Sequence, residues 1–431
     1  MKAGRTAEGA KAAASHTGGL AKEDIATDLI FERAGILSFR DEAELCQAAA
    51  TFASQPIPRG NRVGIITNTG GPAVIATDVL VAGGLVIPPL SENAAEILKG
   101  KLFAEASINN PLDVLATAGA GHFRTAMDVM MGDEEIDSIY INFVTPFFVD
   151  TNSIAREIAE VNKQRKKPII CNLMTDKGQW TETVRILKEG GVPCYGFPGT
   201  AARALVALTQ YNRIRNRKTG EVKRFDDVDR QKAEAILEEA KQAGRKILSA
   251  ADGYEILNAY GIPAAEWRIA DTAADAEKAA SEIGFPVVAK LDSWSVPRKS
   301  DVGAVALNLR DAGALRSAIE EMDRKFHFQD RKFLVQKYLP GGKEVIVGAK
   351  TEDGLGHLVM FGIGGIYVEI FKDVVFKLSP VTDLEAQEML SSLKTTPLLK
   401  GVRGEKGVCE RGIIEVIQRL SQLVTELPTI R

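Results

Sequence analysis

The sequence predicts an α/β fold followed by an α+β fold: a doubly wound parallel sheet, then a second domain with antiparallel strands. Three observations carry this. Short β-branched apolar runs alternate with helical patterns from Arg62 onward, the rhythm of strand–helix–strand units that build a parallel sheet. A stretch dense in charge and poor in apolar residues, Arg213 to Asp227, interrupts the alternation and reads as an interdomain linker. Beyond it, a pair of strands is separated by a glycine turn rather than by a helix.

Val63 to Thr67 reads as a strand, Asn68-Thr69-Gly70-Gly71 as a tight turn, and Pro72 to Val81 as a helix with proline near its first turn. Ser138 to Asn142 and Pro168 to Cys171 read as further strands, separated by a helical stretch from Ile154 to Lys163. Ligands of such sheets meet the loops at the carboxyl ends of the strands. Asn68 to Pro72 and Val144 to Pro146 are therefore the loops to watch. The second domain begins near Ala233 and contains a helix from Ser249 to Ala259, with Ser249 as its cap. Strands follow at Pro286 to Lys290, Lys332 to Gln336 and Glu344 to Gly348. The last two are joined through Pro340-Gly341-Gly342, which suits an antiparallel turn.

A chain of 431 residues has room for roughly two to four domains. Its 54 Lys+Arg against 57 Asp+Glu give a net charge of -3, with 45% hydrophobic and 26% charged residues. That balance asks for neither nucleic acid nor an acidic membrane surface as partner. The cysteines, Cys46, Cys171, Cys194 and Cys409, are dispersed and make no disulfide framework, so a reducing cytoplasm is the expected compartment. No apolar run approaches the length of a membrane helix.

Ala13-Ala14-Ser15-His16-Thr17-Gly18-Gly19 places a histidine among hydroxyls and glycines between two helical patterns. Glycines let backbone N–H groups close on an anion, a following helix N-terminus adds partial positive charge, and a neutral imidazole can be a nucleophile. A plain loop or capping role fits the same residues. The turn through Gly70 and Gly71 is open in the same way: a helix N-terminus aimed at a phosphoryl group, or a strand–helix turn whose glycines permit close packing. Asn110-Pro111-Leu112-Asp113 reads as structural, with Asp113 capping a neighbour. His122, His327 and His357 show no metal-ligand spacing.

Gly4-Arg5-Thr6, Gly9 and Ala12 to Gly18 together closely resemble the phosphohistidine loop of NDP-forming acyl-CoA synthetases, relatives of succinyl-CoA synthetase. The likeness continues through Thr67 to Pro72, Asn110 to Asp113, Gly196-Phe197-Pro198 and the second domain. An ordered series of motifs is more specific than any one of them. The resemblance implies a flavodoxin-like doubly wound sheet followed by an ATP-grasp domain. It divides the chain into the tail of a first succinyl-CoA-ligase-like domain (1–59), a second flavodoxin-like domain (60–212), a charged linker (213–232) and an ATP-grasp domain (233–431). It implies an ADP-forming acid–CoA ligase with ATP/ADP, Mg2+ and CoA. His16 is then the transient phosphoryl carrier, in a loop with Ser15, Thr17 and Gly18.

In the second domain, Lys290, Gln336-Lys337-Tyr338 and Glu344 resemble the ATP-grasp nucleotide site. A lysine ending an apolar strand reaches phosphate oxygens, a strand ending in polar residues offers backbone hydrogen bonds to an adenine edge, and Glu344 suits ribose hydroxyls. Phe361 to Glu369 is also family-like, with Gly364 and Gly365 letting backbone approach phosphates; its glycines do not fit G-x-G-x-x-G. Many relatives carry a histidine before Lys-Ser-Asp, proposed in some as a second relay. Arg298 stands there in this sequence, beside Lys299. Arginine forms no such phosphoenzyme, though it can clamp a phosphate, so direct transfer from His16 is expected.

The resemblance also implies a CoA-binding domain before Met1 and an acidic strand after Arg431 that supplies the Mg2+ ligands. The chain is therefore expected to act as an oligomer or with a CoA-binding partner chain, and to turn over poorly alone. Two other readings are a catalytically silent ligand-binding module of a protein acetyltransferase, which His16 argues against, and a fragment active only with a partner.

Overall fold

The computed structural model describes residues 24–39, 41–175, 178, 180–293, 303–327, 330–352, 354–365, 373–401, 404 and 406–431. The chain divides into two compact units, Met1–Lys218 and Thr219–Arg431.

In the first unit, β1 (Val63–Thr67), β2 (Leu112–Asp113), β3 (Ser138–Val144), β4 (Ile169–Met174) and β5 (Cys194–Tyr195) form one sheet. Their order is β2-β1-β3-β4-β5 and every pairing is parallel. This is the flavodoxin-like doubly wound order, whose switch point lies between β1 and β3. All five β1 residues are buried, because a parallel sheet is covered on both faces. Val63, Ile65, Tyr140 and Ile170 pack beneath helices Gly70–Ala82 and Pro198–Arg215. On the other face, Ile66, Ile139, Ile141, Phe143, Ile169 and Leu173 pack under helices Ala120–Gly132, Thr151–Asn162 and Thr181–Glu189.

Helix Glu42–Ser54 is joined to this sheet by Gln55. The buried Gln55 amide donates to Gly191 O (2.7 Å) and Asn162 Oδ1 (3.1 Å) and accepts from Ile169 N–H (2.8 Å). Residues on both sides of position 59/60 thus belong to one unit. Asn110 has the structural role its motif suggested. Its amide accepts from Ile65 N–H (2.9 Å) and donates to Val63 O and Pro88 O, both at 2.8 Å. Asp113 accepts from Leu115 N–H (2.9 Å).

The charged stretch after residue 212 is more ordered in its pairing than a bare linker. Helix Pro198–Arg215 runs into it. Farther on, Phe225 is buried, and the Gln422 side chain bonds both its N–H (2.8 Å) and its carbonyl (3.1 Å). An unpaired buried backbone group is costly, so this amide bridge fixes the segment. Arg419 adds a fork to Asp227 at 2.9 and 3.0 Å.

The second unit holds two antiparallel sheets. One contains β6 (Trp267–Ala270), β7 (Val287–Asp292), β8 (Val305–Leu309) and β9 (Lys332–Lys337), in the order β6-β9-β7-β8. The other is β10 (Val345–Glu352), β11 (Gly356–Ile363) and β12 (Val374–Leu378). Helices Ala273–Ile283 and Ala312–Lys325 cover one face of the first sheet, while Asp383–Ser391 and Glu410–Glu426 cover one face of the second. Ser249 caps helix Ala250–Ala259 by a reciprocal capping box with Asp252.

One strand expectation is corrected. β9 and β10 do not form a hairpin: they belong to different sheets. β9 is paired on both edges, with β6 and β7, so no edge remains for β10. The two glycines, at φ 72° and 90°, carry the chain from one sheet to the other.

Candidate functional site

The first candidate region is the carboxyl edge of the parallel sheet at its switch point. Thr67 ends β1, and its hydroxyl ties the turn that follows. Oγ1 accepts from Thr69 N–H (3.0 Å) and Asn142 Nδ2 (2.9 Å) and donates to Thr69 O (2.6 Å). Asn68 is buried. Its side-chain amide brackets Val144 on β3, accepting from Val144 N–H (2.9 Å) and donating to Val144 O (3.2 Å). The strand therefore passes into helix Gly70–Ala82 through a turn fixed to its neighbour.

That helix begins without a side-chain cap: Thr69 stands at the N-cap position and makes no capping bond. A helix N-terminus leaves backbone N–H groups without intrahelical partners and carries partial positive charge. Gly70 and Gly71 are exposed, and a Cβ on either would meet nothing within 4 Å. Neither has a positive φ. The fold accounts for Gly71, because a Cβ in a helical residue before Pro72 would crowd the proline ring. It gives no comparable reason for Gly70. Below the turn, Asn142 and Asn172 are fully buried and directly paired on β3 and β4. The Oδ1 atom of each has no hydrogen-bond partner among the described residues.

Ser15, His16, Thr17 and Gly18 lie outside the described residues, as do Arg298 and Lys299.

The second candidate region is the face of the β6–β9 sheet opposite its covering helices. Strand alternation places Lys290 of β7 and Gln336 of β9 on this face, and Lys290 Nζ donates to Gln336 Oε1 at 2.8 Å. Tyr254 OH lies 3.5 Å from the same oxygen, and the Tyr254 and Trp267 rings are 5.6 Å apart. Tyr254 and Trp267 carry no sequence signal of their own; only the fold brings them here. Lys337 is one residue on and so faces the other way. Its ammonium donates to Gly284 O (2.7 Å) and Phe285 O (3.2 Å), just past the end of helix Ala273–Ile283. This is a favourable place for a cation, at the negative end of a helix. The Tyr338 N–H is taken by Pro286 O (3.1 Å).

Glu344 is exposed, and its carbonyl accepts from Gly364 N–H at 2.7 Å. A Cβ on Gly364 would lie 2.9 Å from the Glu344 carbonyl carbon, and one on Gly365 would lie 2.8 Å from Glu344 Oε2. These two glycines thus allow strand ends to meet closely, with Gly365 also at a positive φ of 75°. Lys290 and Gln336 are brought together; Lys337 is diverted to a helix end; Glu344, Gly364 and Gly365 form a separate contact. Among the described residues no group of three or more His, Cys, Asp or Glu side chains is gathered to hold a metal, and no helix is long and apolar enough to cross a membrane.

Comparison with known proteins agrees with both folds. Residues 239–431 match the ATP-grasp domain family, and residues 1–52 match the succinyl-CoA ligase like flavodoxin domain family. The chain is 36% identical over 438 residues to 4-hydroxybutyrate–CoA ligase [ADP-forming] of Nitrosopumilus maritimus, covering 100% of the chain and 62% of that relative. It therefore spans less than two thirds of that protein's length. It is 38% identical over 197 residues to the acetate–CoA ligase [ADP-forming] II subunit beta of Pyrococcus furiosus, covering 44% of the chain and 84% of the subunit. The subunit alpha of the same enzyme is 35% identical over 218 residues, covering 49% of the chain and 46% of that subunit.

Proposed function

Because the chain belongs to the ADP-forming acyl-CoA and acetate–CoA ligase family, we propose that it interconverts acyl-CoA, ADP and phosphate with carboxylic acid, CoA and ATP. His16 is the phosphoryl carrier, with Ser15, Thr17 and Gly18 closing on the phosphate. The observation that carries the reading is Gly70: an uncapped, open helix start whose glycine neither backbone conformation nor packing requires.

A phosphate oxygen attacks the thioester carbon of acyl-CoA, the C–S bond breaks and CoA leaves as its thiolate, giving an acyl phosphate. Its phosphorus is then attacked by a neutral imidazole nitrogen of His16. A P–N bond forms, the P–O bond to the acyl group breaks, and the carboxylate leaves with that electron pair while the ring keeps its remaining N–H proton. In the second half-reaction a terminal oxygen of ADP attacks phosphorus, the P–N bond breaks, and the ring recovers its lone pair. Phosphoryl transfer is governed by positioning and charge stabilisation. The N–H groups at Gly70 and Gly71 suit the phosphoryl oxygens, since they are held in place before the reaction by the Thr67 and Asn68 bonds.

Lys290 and Gln336 serve the nucleotide. The N–H groups of Lys337 and Tyr338 are already bonded to Glu266 O and Pro286 O, so these two residues can offer it only carbonyl oxygens, and the carboxylate of Glu344 and the Gly364-Gly365 turn complete its surroundings. Arg298 and Lys299 clamp phosphate. Mg2+ accompanies the nucleotide, although among the described residues no group of His, Cys, Asp or Glu side chains is gathered to hold it. Within the first compact unit, Met1–Lys218, 1–59 is the tail of a first succinyl-CoA-ligase-like domain and 60–212 a second, flavodoxin-like one; 233–431 is the ATP-grasp domain after the charged stretch 213–232. CoA is bound by a further domain or a partner chain in the cytoplasm. The two P. furiosus subunits, each matching about half of the chain, favour such division of the machinery between chains.

The test is phosphorylation of the full chain by radiolabelled ATP with Mg2+. The expected label is acid-labile, base-stable and absent from His16→Ala. Equal labelling of that variant would refute the assignment of His16.

A further inference from the structure

We infer that Cys171 and Cys194 form a modification site: an oxidisable dithiol that a peroxide closes to a disulfide and a thiol reductant reopens. The inference stands apart from the ligase reading, since it uses neither the nucleotide region nor the phosphoryl carrier.

Cys171 lies on β4 and Cys194 on β5, and the two are direct partners in the parallel ladder. Their side chains leave the sheet on the same face. Cys171 belongs to the core cluster under helices Ala120–Gly132, Thr151–Asn162 and Thr181–Glu189, and Cys194 packs against that cluster. A hydrogen bond joins the two thiol groups. Paired residues on neighbouring strands stand about 4.8 Å apart, within the roughly 4.4–6.8 Å between Cα atoms that a disulfide spans. Closing the bond therefore asks for rotation of side chains, not movement of strands. It staples a weak place in the sheet. β5 has two residues and stands at the end of the sheet beside β4. Its Tyr195 holds helix Glu42–Ser54 through Thr51 Oγ1 (2.6 Å) and Gln47 O (2.8 Å).

The two sulfurs are unequal. Cys171 is fully buried, and burial together with the hydrogen bond to Cys194 pushes its thiol up. Cys194 is half-buried, so it is the sulfur that a small oxidant reaches. Its thiolate attacks one oxygen of hydrogen peroxide: an S–O bond forms, the O–O bond breaks, and the hydroxide that leaves takes up a proton as water. The Cys171 sulfur then attacks the sulfur of the Cys194 sulfenic acid. An S–S bond forms, the S–O bond breaks, and the departing hydroxide takes the Cys171 proton to give a second water. The two thiols lose two electrons and the peroxide gains them. With Cys171 adjacent, the sulfenic acid is consumed before further peroxide converts it to sulfinic acid, which thiol reductants do not reverse. In a compartment buffered by thiols such a bond is transient.

The experiment treats the reduced full chain with hydrogen peroxide, alkylates the remaining thiols in denaturant, and maps tryptic peptides by mass spectrometry. The exposed Cys46 and Cys409 report what exposure alone does. The expected product is a linked pair of peptides carrying Cys171 and Cys194, separated again by dithiothreitol. In Cys194→Ser the Cys171 thiol is lost at least about tenfold more slowly, because peroxide must then reach the buried sulfur directly. In Cys171→Ser, Cys194 accumulates as a sulfenic acid trapped by dimedone and passes to sulfinic acid in excess peroxide. The inference is overturned if wild type accumulates oxidised Cys194 without the linked pair, if the pair links only once the chain is denatured, or if Cys171 is lost equally fast in Cys194→Ser. Oxidation of Cys46 and Cys409 with Cys171 and Cys194 both untouched also overturns it. The wild-type results decide even where a variant folds poorly.

Discussion

Replacing Gly70 by alanine separates what the fold needs at the start of the Gly70–Ala82 helix from what a phosphoryl group needs. The added Cβ meets no atom within 4 Å, and the backbone is not in the left-handed region. The folded state therefore loses nothing, while the unfolded chain loses freedom. Such a change stabilises by about 0.4–1 kcal/mol. For a unit of the size of Met1–Lys218 this raises its melting temperature by about 1–4 °C. The chemistry responds in the opposite sense. A methyl beside the Gly70 N–H crowds an oxygen that must come to the ~2.9 Å of an N–H···O bond. Losing one such donor from a charge-stabilising site costs roughly 100- to 1,000-fold; partial crowding should slow His16 labelling by at least about tenfold. Differential scanning calorimetry and quench-flow labelling on the full chain read the two effects separately. A lowered melting temperature, or labelling at the wild-type rate, would refute the reasoning.

Three further outcomes are expected. Asn68→Ala leaves the N–H and carbonyl of Val144 without their side-chain partners and should destabilise by about 2 kcal/mol or more, measured by urea unfolding. Lys290→Met should weaken ADP binding about tenfold in calorimetric titration with little change in stability, whereas Lys337→Met should destabilise by about 1–2 kcal/mol through the lost helix-end bonds; the reverse pattern would exchange their roles. Burial pushes the Asp137 carboxyl up, but hydrogen bonds from the Arg62 guanidinium and backbone outweigh it and hold the carboxyl below its ordinary value of 3.8. With the folded value the lower one, this pair contributes its stability above pH 3.8 and loses it as pH falls through the folded value. Asp137→Asn should therefore flatten the acid side of the stability profile, followed by circular dichroism between about pH 2 and 5.

Several strands were legible from a buried apolar run: Val63 to Thr67 is β1 to the residue, and Ser138 and Lys332 begin β3 and β9 as expected, whereas the largely buried run Leu358 to Phe361 of β11 was not read as a strand. The Ser249 cap was equally readable, because its partner Asp252 lies three residues away. Local rules end where pairing begins. Pro340-Gly341-Gly342 has the chemistry of a hairpin turn, and only the occupancy of both β9 edges decides otherwise.

The candidate site divides in the same way. Sequence alone determined the strand–turn–helix at Asn68 to Pro72, the lysine ending β7, and a motif series that belongs to one family. Strand alternation already implies that Gln336 and Lys337 face opposite ways, but not that Lys337 meets the end of helix Ala273–Ile283. Tertiary structure decided that Gly364 and Gly365 are bound to Glu344 by close packing, while Gly70 is left open. It also decided that Asn68 is a clamp on a neighbouring strand. A glycine's local sequence is the same whether a wall or empty space stands beside it, since that difference is made by residues distant in the chain.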